Sequence, residues 1–416
     1  MDKRNKAKRK MKTAEIFSMA LGLQTPWQVV KLEFKEESRG KRELNIHIDF
    51  ERGSKFRDST KAECPVHDTV ERKWQHLNFF EHHCYIHARV PRIKTTGGNV
   101  EMVEVPWARR DSGFTLLFEA YAMLLLENEM PVNKAASILK VYSNRIWTIF
   151  NYWIEKAIIK DDQSAVKSIG IDETSSKKGH SYVTVAVDLG ERRVIFVTKG
   201  KDEKTISRLK EHLTVRTVAP EQIEQVSIDM SPSFISGVMN NFPNAKITFD
   251  RFHVVKLLNE AMDELRKAER KEHEMLKGHK YTFLKSNKNL SKRERSEREE
   301  LIELYPELGK GYRLKELFDD FWHFDDQQDA EGFLSYWCDL AMESGIQPFK
   351  RFVSTIKSHW SGIVNFIKSK ISNGILESIN SKIQLAKRRA RGYRNTTNFI
   401  HMIYFVAGKL KYDYPL

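Results

Sequence analysis

Cysteine is scarce. Cys64, Cys84 and Cys338 are the three in 416 residues, and they stand too far apart to make a disulfide framework. That excludes the small disulfide-stapled secreted scaffolds and fits a reducing cytoplasm. No apolar run approaches the roughly 18 residues needed to span a bilayer, so no membrane partner is expected. The opening "MDKRNKAKRKMK" is basic with no apolar stretch behind it and does not read as a secretory signal. Negative charge is also short: 56 Asp plus Glu face 70 Lys plus Arg, a net charge of +14. That balance favours a polyanion partner, nucleic acid before membrane. The shortage is sharpest between Ser378 and Tyr412, where no carboxylate accompanies eight lysines and arginines. A charged helix normally intersperses its signs. Lys382, Lys387, Arg388, Arg389, Arg391 and Arg394 are therefore expected to meet a DNA backbone.

What is present changes period along the chain. Residues 1–22 read as a basic, flexible tail, and 23–110 as a β-rich module. In "ELNIHIDF", Leu44, Ile46, Ile48 and Phe50 alternate with polar residues, the pattern of a half-buried strand. "WQVVKLEF" before it can pair with it through the "KEESRGKR" turn. Cys64, His67, Cys84 and His87 make a repeated C-x-x-H spacing that suggests zinc. However, "HHCYIHARV" reads as a strand, and residues three apart on a strand face opposite ways. Zinc is not expected there.

Residues 111–163 turn helical. "FTLLFEAYAMLLLENEM" reads as a core helix. Pro131 starts a second, with Ala135, Ala136 and Leu139 on one face, and Ser143 caps a third carrying Ile146, Trp147, Phe150 and Trp153. Helix, tight turn, helix is the helix-turn-helix pattern, and Asn144 and Arg145 would be offered to a major groove.

Residues 164–254 read as one mixed sheet: "SIGIDE", "SYVTVAVDL" and "RRVIFVTKG" as a meander, then a helix near Glu203–Leu213, "QVSID", a helix begun by Ser231 and Pro232, and "AKITFD". Period-two counting puts Gly170 with Asp172 and Ser227 with Asp229, both acids at carboxyl ends of strands, where open α/β sheets place ligands. Two such carboxylates repel unless a cation lies between them, and a pair of Mg²⁺ ions is the usual clamp for phosphodiester chemistry. A charged helical segment, 255–350, interrupts the α/β pattern, with Phe318, Phe321, Trp322, Phe333 and Trp337 mostly core. In 351–416, Leu376, Ile379, Ile383 and Ala386 form an apolar stripe, while Asn373, Glu377, Asn380 and Gln384 line a polar face. Glu377 is a lone acid at the edge of the basic stretch.

Asp172 in "IGIDE", Asp229 in "SIDMSPSF", the run "FDRFHVVK" and Glu377 in "NGILESINSKI", followed by "ARGYRN", closely resemble the DDE transposases of bacterial insertion sequences, the ISL-three family in particular. The likeness runs from "WQHLNFF" through "HARVPR" and "VEVPWAR" to the C-terminal end of the sequence. It implies an RNase H-like catalytic domain split by an all-helical insertion, with Asp172, Asp229 and Glu377 holding two Mg²⁺ ions, Mn²⁺ being an alternative. It also implies cleavage and joining of DNA at an element's terminal inverted repeats, action on target DNA, a homodimer or higher oligomer on DNA, and a nucleoid-associated place in a bacterial cytoplasm. Asp250 and His253 are candidate auxiliaries, His253 for orienting the scissile phosphate. The family usually carries an N-terminal zinc ribbon. Here "FRDSTKAECPVHD" keeps Cys64 alone, and Thr95 and Gly98 stand where a cysteine and a histidine would be expected. Two other functions fit the same residues: a transposase-derived DNA-binding regulator without catalysis, and a stand-alone RNase H-like nuclease.

Overall fold

The structure, a computed structural model, describes residues 12–36, 42–177, 181–370 and 374–414. The chain forms two compact units, one reaching to Ile159 and taking in the chain from Lys411, the other running from Lys160 to Leu410.

The first unit begins with α1 (Thr13–Ala20), then β1 (Trp27–Glu36), β2 (Arg42–Phe50), β3 (Lys55–Arg57), β4 (Glu63–Phe79), β5 (His82–Lys94) and β6 (Val100–Met102). The strands make one sheet in the order β1-β2-β5-β4-β3, with β6 on β5. β1 and β2 pair antiparallel, Leu32 opposite Ile46. Leu44, Ile46 and Ile48 are buried with Trp27, Val29, Trp74 and Ile86, so the alternation in "ELNIHIDF" marks the core face. Residues 13–20 depart from the flexible tail expected for 1–22. Phe17 and Ala14 lie against that same core, and covering the sheet orders them into α1. The first eleven residues of that tail lie outside the described residues.

α2 (Leu116–Glu127), α3 (Val132–Ile138) and α4 (Ser143–Lys160) follow. Ala135, Ala136, Leu139, Ile146, Phe150 and Trp153 are buried as expected, while Trp147 is half-buried and edge-on to Phe150. Ser143 is the first residue of α4 rather than its cap, a one-residue shift. The buried Glu119 of α2 accepts from Arg109 Nε, Ser112 Oγ and Trp153 Nε1, which offsets the cost of burying its charge and ties α2 to α4.

The second unit is α/β. Its strands are β7 (Ser168–Lys177), β8 (Ser181–Asp188), β9 (Arg193–Lys199), β10 (Gln225–Ile228) and β11 (Lys246–Phe249); α5 (Glu203–Val215) precedes β10 and α6 (Pro232–Asn241) follows it. The sheet order is β11-β10-β7-β8-β9. β7, β8 and β9 form the antiparallel meander, while β10 lies parallel to both β7 and β11. Val183 through Asp188 are buried at every position because both faces of the sheet are covered. Ile169 and Ile171 point into a core with Ile206 and Leu209 of α5 and Phe234 and Val238 of α6.

From Arg251 the chain is helical: α7 (Arg251–Glu272), α8 (Lys280–Leu284), α9 (Lys292–Leu304), α10 (Pro306–Asp320), α11 (Gln327–Glu343), α12 (Gln347–Ser358), α13 (Trp360–Ser369), α14 (Gly374–Arg389) and α15 (Thr396–Ala407). Phe318, Phe321, Trp322 and Trp337 fill the core of this segment, and Phe333 packs against it. α13 returns to β11: a Cβ at Gly362 would come within 2.4 Å of the Phe249 ring, and Asn365 Nδ2 donates to Thr248 Oγ1 at 2.8 Å. At the other edge of the sheet, Tyr404 Oη of α15 accepts from Val197 N of β9. Among the described residues no helix is long and apolar enough to cross a membrane.

Candidate active site

Parallel pairing of β7 and β10 sets Ile169 beside Val226 and Gly170 beside Ser227. Two residues further on, the same register levels Asp172 with Asp229. Pairing of β10 with β11 sets Ile228 beside Phe249, and the next step levels Asp229 with Asp250. Neighbouring strands lie about 4.8 Å apart, so three acids form a row across adjacent strands.

Each acid is held differently. Asp172 Oδ1 accepts from Glu173 N at 2.7 Å, and its Oδ2 accepts from Asn380 Nδ2 of α14. Burial pushes the Asp172 carboxyl above its ordinary range, and those two donors pull it partly back. Asp229 Oδ1 accepts from Ser231 N at 3.0 Å, which shapes the turn into α6. The expected Ser231 side-chain cap is not made, because its hydroxyl pairs with Ser233 Oγ instead. Asp250 caps α7 through Phe252 N at 2.6 Å and holds His253 Nδ1 at 2.9 Å, so both its oxygens are engaged. That hydrogen bond raises the His253 pKa, helped by the Asp229 and Asp172 charges, and the ring's Nε2 is left for another partner.

Glu173 went unrecognised in the sequence because period-two counting sends it to the other face of β7. It is half-buried, its pKa is raised by burial, and Lys201 Nζ stands 4.0 Å from it. Lys201 and His253 are the cations that act on Glu173.

Glu377 sits in the first turn of α14, exposed, and has no side-chain partner among the described residues. The face of α14 that meets β7 is the next ridge, carrying Leu376, Asn380 and Gln384. Asn373 lies outside the described residues. No three His, Cys, Asp or Glu among the described residues are set around one metal position. The structure thus brings Asp172 and Asp229 together, with Asp250 and His253 beside them, and leaves Glu377 one ridge away. Carboxylate oxygens are hard donors suited to Mg²⁺ or Mn²⁺, so the donor chemistry fits such a cation.

The basic residues divide. Lys387 Nζ donates to Ser175 O at 2.6 Å and to Ser175 Oγ, which fastens α14 to β7. Lys382, Arg388, Arg389, Arg391 and Arg394 are exposed. In the first unit Asn144 and Arg145 are both exposed, and the Arg145 guanidinium lies 4.6 Å over the Phe114 ring.

The four residues of the C-x-x-H repeat do not converge. Cys64 pairs with Phe56 at one end of β4, while Cys84 lies opposite His76, twelve residues and about 40 Å of strand away. Both thiols are buried and held protonated by burial, Cys84 pushed up to about 12. At the Cys64 end a carboxylate joins the loops. Asp58 Oδ1 accepts from Thr60 N, Thr60 Oγ1 and Ala62 N, and its Oδ2 accepts from Cys64 Sγ and from Thr96 N and Oγ1. A single thiol and an already saturated carboxylate do not fit a zinc ion, which takes four N or S ligands in structural sites.

Known proteins resemble the chain along almost its whole length. A family model described as the helix-turn-helix domain of transposase family ISL3 matches residues 103–154, and one described as the zinc-finger of transposase IS204/IS1001/IS1096/IS1165 matches 57–94. The transposase for insertion sequence element IS1001 of Bordetella parapertussis is 26% identical over 389 residues, 90% of this chain and 94% of that protein. The transposase for insertion sequence element IS1557 of Mycobacterium tuberculosis is 26% identical over 420 residues, 92% of this chain and 93% of that protein. The ISL3 family model described as transposase matches residues 169–403, more than half of the chain and the whole span from the start of β7 into α15. The chain belongs to the ISL3 family of insertion-sequence transposases.

Proposed function

We propose that this chain is a DDE transposase that binds the terminal inverted repeats of its element, hydrolyses DNA strands at the ends and joins the 3′-hydroxyls to target DNA. The observation that carries the reading is the register that levels Asp172 with Asp229 at the strand ends. Asp172 and Asp229 would hold a divalent cation, Mg²⁺ or Mn²⁺, from the sheet, and Glu377 would complete the site from α14. When bound, such ions stabilise the charge that builds on the phosphate oxygens in an in-line displacement. His253, its Nδ1 fixed by Asp250, offers Nε2 to the scissile phosphate. Exposed Lys382, Arg388, Arg389, Arg391 and Arg394 hold the DNA backbone by sequence-independent contacts, and Asn144 reaches bases from α4. The order of three antiparallel and two parallel strands, with a helical segment before the helix that carries Glu377, supports an RNase H-like catalytic domain. An element has two ends, which favours a homodimer or higher oligomer on DNA in a bacterial cytoplasm.

One observation favours the non-catalytic regulator: Glu377 stands off the Asp172–Asp229 face. A single assay separates the two. Supercoiled plasmid carrying the element's ends is incubated with protein and Mg²⁺, and the cut strands are mapped. Cuts at the ends that leave 3′-hydroxyls are expected; bound but uncut ends would establish the regulator.

A further inference from the structure

We infer that Asn380 is a positioning residue of the site: from α14, three residues after Glu377, it orients the Asp172 carboxylate for a cation. This rests on the metal reading of the three acids.

Four rungs join the helix to the strand. Leu376 lies over Gly170, where a Cβ would come within 3.0 Å of its Cδ2. Asn380 Nδ2 donates to Asp172 Oδ2, Gln384 Nε2 donates to Thr174 Oγ1 at 2.9 Å, and Lys387 Nζ donates to Ser175. Leu376, Asn380 and Gln384 recur every four residues, while Gly170, Asp172 and Thr174 recur every two. Four helical residues rise about 6.0 Å and two strand residues about 6.6 Å, so helix and strand stay in phase over these turns. Asn380 is the rung that ends on an acid of the site. Glu377 precedes it by three residues and is therefore its neighbour on the helix surface.

The residue type suits the task. A lysine here would neutralise Asp172 and displace a cation, and an acid would repel the carboxylate. An amide donates an N–H without adding charge, which favours the ionised carboxylate and leaves its charge for a metal.

The experiment titrates Mn²⁺ into the full-length protein by calorimetry and records the metal-free melting temperature. It compares wild type with Asn380→Ala, Gln384→Ala and Asp172→Ala. Asn380→Ala should melt near wild type, since the other rungs remain, yet bind Mn²⁺ roughly 10–100-fold more weakly, as loss of a ligand-orienting partner typically does. Gln384→Ala, which removes a rung of the same helix away from the acids, should keep wild-type affinity. Equal losses in Asn380→Ala and Gln384→Ala would reduce Asn380 to packing and overturn the proposal. Wild-type affinity in Asn380→Ala, with binding lost in Asp172→Ala, would overturn it while leaving the metal reading intact. Wild-type affinity in Asp172→Ala would remove the metal reading and the proposal together.

Discussion

Gly170 shows how one residue can decide access to a site. It shares a face of β7 with Asp172, and a Cβ there would meet Leu189 Cδ2 at 2.9 Å and Leu376 Cδ2 at 3.0 Å. Gly170→Ala should destabilise the protein by about 1–3 kcal/mol, the usual cost of overpacking, and should weaken Mn²⁺ binding by pushing α14 away from Asp172. Chemical denaturation and calorimetry on that variant check both effects. His212 supplies a second test at this scale. Its Nε2 meets Gln163 Oε1 at 3.2 Å and its Nδ1 meets Arg216 Nη1 at 3.3 Å, so the neutral ring, donating from Nε2 and accepting at Nδ1, satisfies both partners. Burial, and then the Arg216 charge, lower its pKa to about 4. A folded value below the unfolded one of about 6.5 means this stabilisation is complete above pH 6.5 and fades as pH falls toward 4, by roughly 3 kcal/mol at most. Unfolding free energies measured from pH 7 to 4.5 should therefore fall less steeply in His212→Gln than in wild type. Identical slopes would show that His212 does not titrate as described. Asp172 and Asp229 could be found from sequence because strand alternation and strand ends are local signals. The Asp172–Asn380 bond joins residues 208 apart, and no periodicity reports it.

At the scale of elements, the mixed sheet of the second unit was legible in its order of strands and helices, since each apolar run was bounded by its own turn or cap. β7 is longer than "SIGIDE" suggested because hairpin pairing with β8 carries it on, Ser175 opposite Tyr182. α1 was not legible behind the basic run that opens the sequence, since its order comes from covering a sheet formed later in the chain. The loops around Asp58 show the same dependence on distant partners: spacing drew attention to cysteines and histidines, whereas the residue that joins 58–62 to Thr96 is an aspartate. Thr60, the Ala62 and Thr96 backbone N–H groups, and burial working against them, leave its pKa at about 2. The purified protein should carry no stoichiometric zinc, and a chelator should leave its melting temperature unchanged. Asp58→Ala should lower that temperature by several degrees, because it strands buried donors. One zinc per chain by elemental analysis would contradict this and restore a metal-bound ribbon.

For the molecule as a whole, part of the excess of positive charge lies where the functional reading needs it, on and just past α14. Arg388 and Arg391 are exposed there, and Arg389 lies between them. Neutralising Arg388, Arg389 and Arg391 together should weaken binding to all DNA sequences alike and flatten the dependence of log affinity on log salt by roughly 0.9 per lost phosphate contact. An unchanged salt slope would place the DNA elsewhere. The central claim is that three acids, two from the sheet and one from α14, act as one metal-dependent site. It is tested most directly by the cleavage rate of end-bearing DNA in Asp172→Ala, Asp229→Ala and Glu377→Ala, each measured with Mg²⁺ beside a binding assay on the same DNA. All three variants should bind as wild type does and fail to cleave. Cleavage at the wild-type rate by any one of them, Glu377→Ala above all, would contradict the account.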